Sequence, residues 1–389
     1  NYMISLSLTY LKIFFMIPNF LVFVSILYFL LKKYNLNIIK FIGGQIVLLF
    51  IFIEFYFYGN HNSFEWVTTG DIPIILRLID YENLKFDFYS NSVMSSPKVI
   101  FYYLIYLIYK FFFISLEDIL FLFKSIQIFL LPLFAYYILT SFVKTKNIFL
   151  ISLFFSIIIL FCTGYFDFLL FIARIGIDSF TNWKDLSPQT FSFIFGFISL
   201  LCYNKQLYRS SILILLFVSL IHIFSGIVFL ILFFIIFNNE DNEKNYLFYI
   251  LNKIVKIKYH LFAVIISIIF INYFFVNKLP QNFFEIYVVE RHPHHYLLSS
   301  FFNFYSFVFL SLPIIPIIIS FYKSKKILFF QSLTILLFFY LCILVQFIGS
   351  EILNINFFTL LGPTRFLSIS IFLLIYLLIE LFNILSEYV

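Results

Sequence analysis

The sequence predicts an all-α fold, a polytopic transmembrane helical bundle of about 11 spans. Three observations carry that expectation. Of 389 residues, 63% are hydrophobic and only 11% charged, whereas a soluble domain carries roughly 25% charged residues. Mean hydropathy is +1.05. Runs of about 20 apolar residues, long enough to cross a bilayer core as helix, recur along the whole chain. The 63 Phe and 28 Tyr stand beside 10 Gly and 10 Pro, the drift expected of an AT-rich genome, so an aromatic residue is not by itself a functional signal.

The same features exclude several classes. Barrel strands alternate apolar and polar residues, while 151–160 and 367–378 are almost continuously apolar. The net charge of +6 sits in short Lys/Arg connectors, where the positive-inside bias places it, and gives no nucleic-acid signal. Cys162, Cys202 and Cys342 form no CxxC and read as buried thiols. No GxGxxG, GxxxxGK[ST] or HExxH motif occurs, so no nucleotide cofactor is expected. The first apolar segment lacks a basic n-region and a cleavage site and reads as a retained anchor.

In chain order the spans fall near 4–31 (bent at Pro18), 38–58, 99–115, 119–142, 147–162, 188–203, 210–237, 259–276, 301–321, 327–348 and 365–382. Residues 1–389 thus read as one polytopic domain. Basic connectors at Lys32-Lys33 with Lys40, Lys144 and Lys146, Lys205 with Arg209, 253–258 and Lys323–Lys326 mark the cytoplasmic side. The longer connectors 59–98, 163–187, 277–300 and 349–364 then lie outside, in a bacterial inner membrane. The first of them is expected to hold interfacial helices. Two stretches are irregular. One of 99–115 and 119–142 reads as re-entrant or interfacial, broken at Glu117-Asp118. The 210–237 stretch has basic flanks at both ends, yet its helix of about 42 Å is too short for two crossings. Its Ile221–Gly226 patch is suited to the tip of a short hairpin.

Polar chemistry gathers in the long connectors. In 59–98, Asp71 follows Gly70 and precedes a short apolar helix. A carboxylate there can act as general base or hold a divalent cation; as an N-cap it would only satisfy backbone donors. Arg174 and Asp178 lie in 163–187, and Gly362-Pro363-Thr364-Arg365 opens the last span. The 277–300 connector carries Arg291-His292-Pro293-His294-His295. Arginine at a span mouth pairs bidentately with phosphate or snorkels to headgroups. The histidines suit a phosphate, a metal ion or a solvated interfacial loop.

The acidic first connector, then Ser96-Pro97-Lys98-Val99-Ile100-Phe101-Tyr102-Tyr103 opening a helix, resembles the amino-terminal half of GT-C-fold glycosyltransferases. Those multi-pass enzymes take sugars from polyprenyl-phosphate carriers on the non-cytoplasmic side. The Ser219–His222 and Arg291–His295 stretches are also similar to those of a bacterial multi-pass membrane family of like layout. No Asp-x-Asp or Asp-Glu pair stands in the first connector, unlike the enzymes it resembles. The resemblance implies a glycosyltransferase, or a close non-catalytic relative, fed by a lipid-phosphate-linked sugar. Asp71 would be its catalytic carboxylate. Arg174, Asp178, Arg291, His292, His294, His295 and Arg365 would bind substrate. Two alternatives stand beside it: a transporter or flippase for a lipid-linked or anionic solute, and a structural subunit of a larger membrane complex.

The orientation is directly testable. Cysteines placed at Ser95, Ser187 and Ser299 should react with an impermeant thiol reagent added outside, while one at Ser324 should not. Labelling of Ser324→Cys together with Ser299→Cys would reverse the assignment.

Overall fold

The computed structural model of the protein describes residues 43–46, 72–80, 99–112, 188–236, 246–274, 304–363, 366–367 and 370–386, with scattered positions at 115–138, 285 and 289. Among the described residues every regular element is a helix. They run α1 (Ile72–Ile79), α2 (Val99–Phe112), α3 (Pro188–Asn204), α4 (Tyr208–Ile221), α5 (Ile223–Ile236), α6 (Tyr246–Phe274), α7 (Phe304–Ser311), α8 (Ile314–Tyr322), α9 (Lys326–Val345), a π-helical segment (Gln346–Ile352), α10 (Asn356–Leu361) and α11 (Ser370–Ser386). Among the described residues two stretches are long and apolar enough to cross a bilayer: α6, with 29 residues, and α9 with its π-helical continuation, with 27. At 1.5 Å per residue they measure about 40 Å each.

The chain reverses at α3–α4 and α8–α9 by the same device. Gln206 and Ser324 adopt left-handed φ values of 62° and 54°. Leu207 N–H then donates to the Cys202 carbonyl at 2.8 Å, and Lys325 N–H to the Ser320 carbonyl at 2.9 Å. These six-to-one bonds close Schellman caps, which satisfy carbonyls that the helix end would otherwise strand. In a chain poor in glycine, polar side chains take the left-handed position.

The 210–237 stretch is two helices joined at His222, not one. Gly226 lies against Ser219, seven residues away, where a continuous helix would separate them by about 10 Å. At the other end, the Tyr203 ring meets both Tyr208 (5.1 Å) and Phe233 (5.3 Å). The start of α4 and the end of α5 are therefore neighbours, and α4–α5 is an antiparallel hairpin. It packs on α3, which runs parallel to α5: Phe193 and Phe197 meet Phe229 at 5.4 and 5.1 Å.

Other boundaries differ from the hydropathy reading. The basic stretch 253–258 is not a connector; it lies inside α6, which begins at Tyr246 rather than near 259. Lys253 is 1% exposed, its Nζ 5.2 Å from the Tyr249 ring centroid and 3.5 Å from the Ile235 carbonyl oxygen. Its charge meets the negative end of α5, so it needs no water. Pro313 divides 301–321 into α7 and α8, because it has no N–H to continue the ladder. The 349–364 connector contains the end of the π-helical segment and α10, closed by Gly362 at φ 53°. Ser115 is a described non-helical residue after α2, and Glu117-Asp118, where the sequence suggested a break, lie outside the described residues.

Gly226→Ala tests the hairpin. An added Cβ would sit 2.9 Å from Ser219 Cα, a backbone atom that cannot yield. The substitution should destabilise the protein by about 1–3 kcal/mol as overpacking does, read as a lower Tm in detergent. In a continuous helix it would instead stabilise by roughly 1 kcal/mol.

Candidate functional site at the hairpin tip

Asp71, Arg174, Asp178, Arg291, His292, His294, His295 and Arg365 lie outside the described residues. Their sequence neighbours α1 and Phe366 are described: Phe366 meets the α4–α5 tip directly, and α1 joins it through a buried cluster shared with α2. Ile221, the last residue of α4, shares a buried cluster with Ile74 and Ile75 of α1 and Phe101 and Ile105 of α2. On the far side of the tip, Phe224 stacks on Phe366 at 4.9 Å. The helix that starts one residue after Asp71 and the residue that follows Arg365 thus flank the same hairpin tip. Phe191 of α3 completes the floor, 5.2 Å from Phe101 and 5.5 Å from Phe123.

His222 is the polar centre of this end. It is 8% exposed and extended, at φ −150° and ψ 92°. Its N–H donates to the Val218 carbonyl at 2.9 Å, ending α4, and its carbonyl accepts from Gly226 N–H at 3.2 Å, starting α5. Its Nδ1 accepts from Ser225 N–H at 3.3 Å and lies 2.8 Å from Ser225 Oγ. An N-cap side chain normally accepts from the third helical N–H, and Ser, Thr, Asp and Asn do this best; here imidazole fills that place. With Nδ1 accepting, the neutral ring carries its proton on Nε2. Arg77 of α1 is buried, as are Gln346 and Ser350 of the π-helical segment. Gly349 of that segment packs closely on Phe358 of α10, folding the connector before the last helix back onto α9.

The opposite end holds a second polar layer. Ser199 Oγ donates to the Ser211 carbonyl at 2.7 Å, and Ser211 Oγ lies 2.9 Å from His260 Nε2. Three helices are joined through these side chains, a common adhesive between apolar helices. Gln331 Nε2 donates to the Ile235 carbonyl at 3.2 Å and to Tyr376 Oη at 2.8 Å, so α6, α9 and α11 all converge on the end of α5. Lys205, Arg209 and Lys253 share this end. Among the described residues no group of three His, Cys, Asp or Glu is disposed to hold a metal ion.

The chain matches no protein-family model, no curated protein and no solved structure. Its chemistry therefore rests on its own residues. The sequence pattern singled out Ile221–Gly226 as a turn but left His222 out of the site; the available signal was a histidine and a glycine within 28 residues whose only other non-apolar members are four serines.

Proposed function

We propose that the protein is a membrane glycosyltransferase of GT-C-like architecture with about 11 spans, or a close non-catalytic relative, acting on a lipid-phosphate-linked sugar at the hairpin-tip end. Asp71 serves as general base or as ligand to a divalent cation, and the arginines and histidines of the long connectors hold the donor phosphate. A phosphate leaving group gathers negative charge in the transition state, and cations fixed in a dry site stabilise it strongly. The observation that supports this reading is the convergence of α1 and Phe366 on the tip of α4–α5. The connectors richest in candidate groups lead to that one end, while Lys205, Arg209 and Lys253 lie at the other, as a positive-inside orientation requires.

The broken helix and the buried polar layers favour a second reading, a transporter, because discontinuous helices build many transport sites. Against it, the two polar layers are separated by a ring layer. Phe193, Phe197, Phe229 and Phe372 are all buried there, with Phe197 5.7 Å from Phe372. A solute path through α3, α5 and α11 would have to cross those rings.

Asp71→Asn separates the readings. Asn caps a helix about as well as Asp, so expression and Tm should stay near wild type. Transfer of sugar from a polyprenyl-phosphate donor in reconstituted vesicles should fall to background. Full transfer by the variant would remove Asp71 from the chemistry.

A further inference from the structure

We propose that Ser350, in the π-helical segment, holds a hydroxyl of the donor sugar; this rests on the function proposed above and names a contact to the neutral part of its substrate. Among the described residues nine serines are buried. Seven of them hydrogen-bond within the protein. The hydroxyls of Ser192 and Ser350 have no partner, a condition that native structures rarely tolerate without water or a bound group. Ser192 stands near the start of α3, at the hairpin-tip end, and Ser350 follows α9 on the way to the same end.

The place of Ser350 follows from the face of α9 that enters the core. Gln331, Ile335, Phe339, Cys342, Gln346 and Ser350 are all buried and recur every three or four residues, one stripe along the helix. At its start Gln331 donates to the Ile235 carbonyl and to Tyr376 Oη, at the end of α5 remote from the tip. From Gln331 to Ser350 the stripe measures about 28 Å, while α5 from Ile235 back to Ile223 measures about 18 Å. The stripe is long enough to pass the level of the tip, and the chain stands at the tip again by Phe366, stacked on Phe224. Gln346 has its own partner in the protein, so the Ser350 hydroxyl is the group left for a ligand. A π-helical turn is rare and is found mostly at functional sites. Serine donates and accepts at one atom, as a sugar hydroxyl does. Between Lys326 and Arg365 the only charged residue is Glu351, itself engaged. The segment therefore suits the neutral part of a donor and leaves its phosphate to the arginines of the long connectors.

The test compares the full chain with its Ser350→Ala variant in nanodiscs. One probe is bare polyprenyl phosphate; the others are the same lipid carrying glucose, galactose or mannose. Ser350→Ala should weaken binding of a sugar-bearing lipid roughly fivefold or more, the worth of one hydrogen bond, and should bind the bare lipid as wild type does. Because an unpartnered buried hydroxyl is removed, the Tm of the unliganded variant should rise by roughly 2 °C or more. Ser332→Ala, which loses a hydroxyl bonded to its own helix, should bind every probe as wild type and gain no Tm. If Ser350→Ala binds the sugar-bearing lipids normally, or loses the bare lipid equally, the contact is wrong while the glycosyltransferase reading stands. A lower Tm with normal binding marks Ser350 as structural and overturns it too. A wild-type protein that binds no sugar-bearing lipid more tightly than the bare one overturns the donor reading and this contact together.

Discussion

A backbone that reverses inside an apolar surround must satisfy its own polar groups, and His222 does so for both helices that meet there. Its N–H closes α4, its carbonyl opens α5, and its ring caps the first turn of α5. An unmet buried backbone donor or acceptor costs about 1–3 kcal/mol, so a residue that settles several at once fixes where the turn falls. The other end of α5 is held as firmly. Lys253 and Gln331 both donate to the Ile235 carbonyl, and Gln331 also reaches Tyr376. With both ends of α5 pinned, the height of the tip is set, and with it the meeting of α1, α2 and Phe366.

Packing between these ends uses the composition the chain has. Phenylalanine rings need matching gaps, and the scarce glycines provide them: Gly196 receives Phe229 and Gly349 receives Phe358. Edge-on and tilted ring contacts among Phe193, Phe197, Phe229 and Phe372 then fill the middle of α3, α5 and α11. Polar side chains are left to the two ends, where they cap helices or join them.

Parts of this were legible in the residues. Hydropathy found α3 almost to the residue, and the histidine and glycine within 210–237 marked the turn, because an uninterrupted apolar helix has no use for either. Lys253 misled the reading. A window of hydropathy counts charges but not the face they lie on, and Lys253 lies on the face that meets a helix C-terminus. The α1 helix behind Asp71 was anticipated from its short apolar run, but its sharing of a buried cluster with Ile221 of α4 links positions more than a hundred residues apart, which local pattern cannot encode.

The central claim is that 208–236 is a hairpin whose tip faces α1 and the last helix. Spin labels at Arg209→Cys and Phe234→Cys, with distances measured by pulsed dipolar spectroscopy in nanodiscs, test it most directly. Packed antiparallel helices predict a distribution centred at roughly 10–20 Å, set by interaxial spacing and the label arms. A single continuous helix would separate the same positions by about 38 Å. A dominant population near the longer distance would contradict the hairpin and every assignment built on its tip.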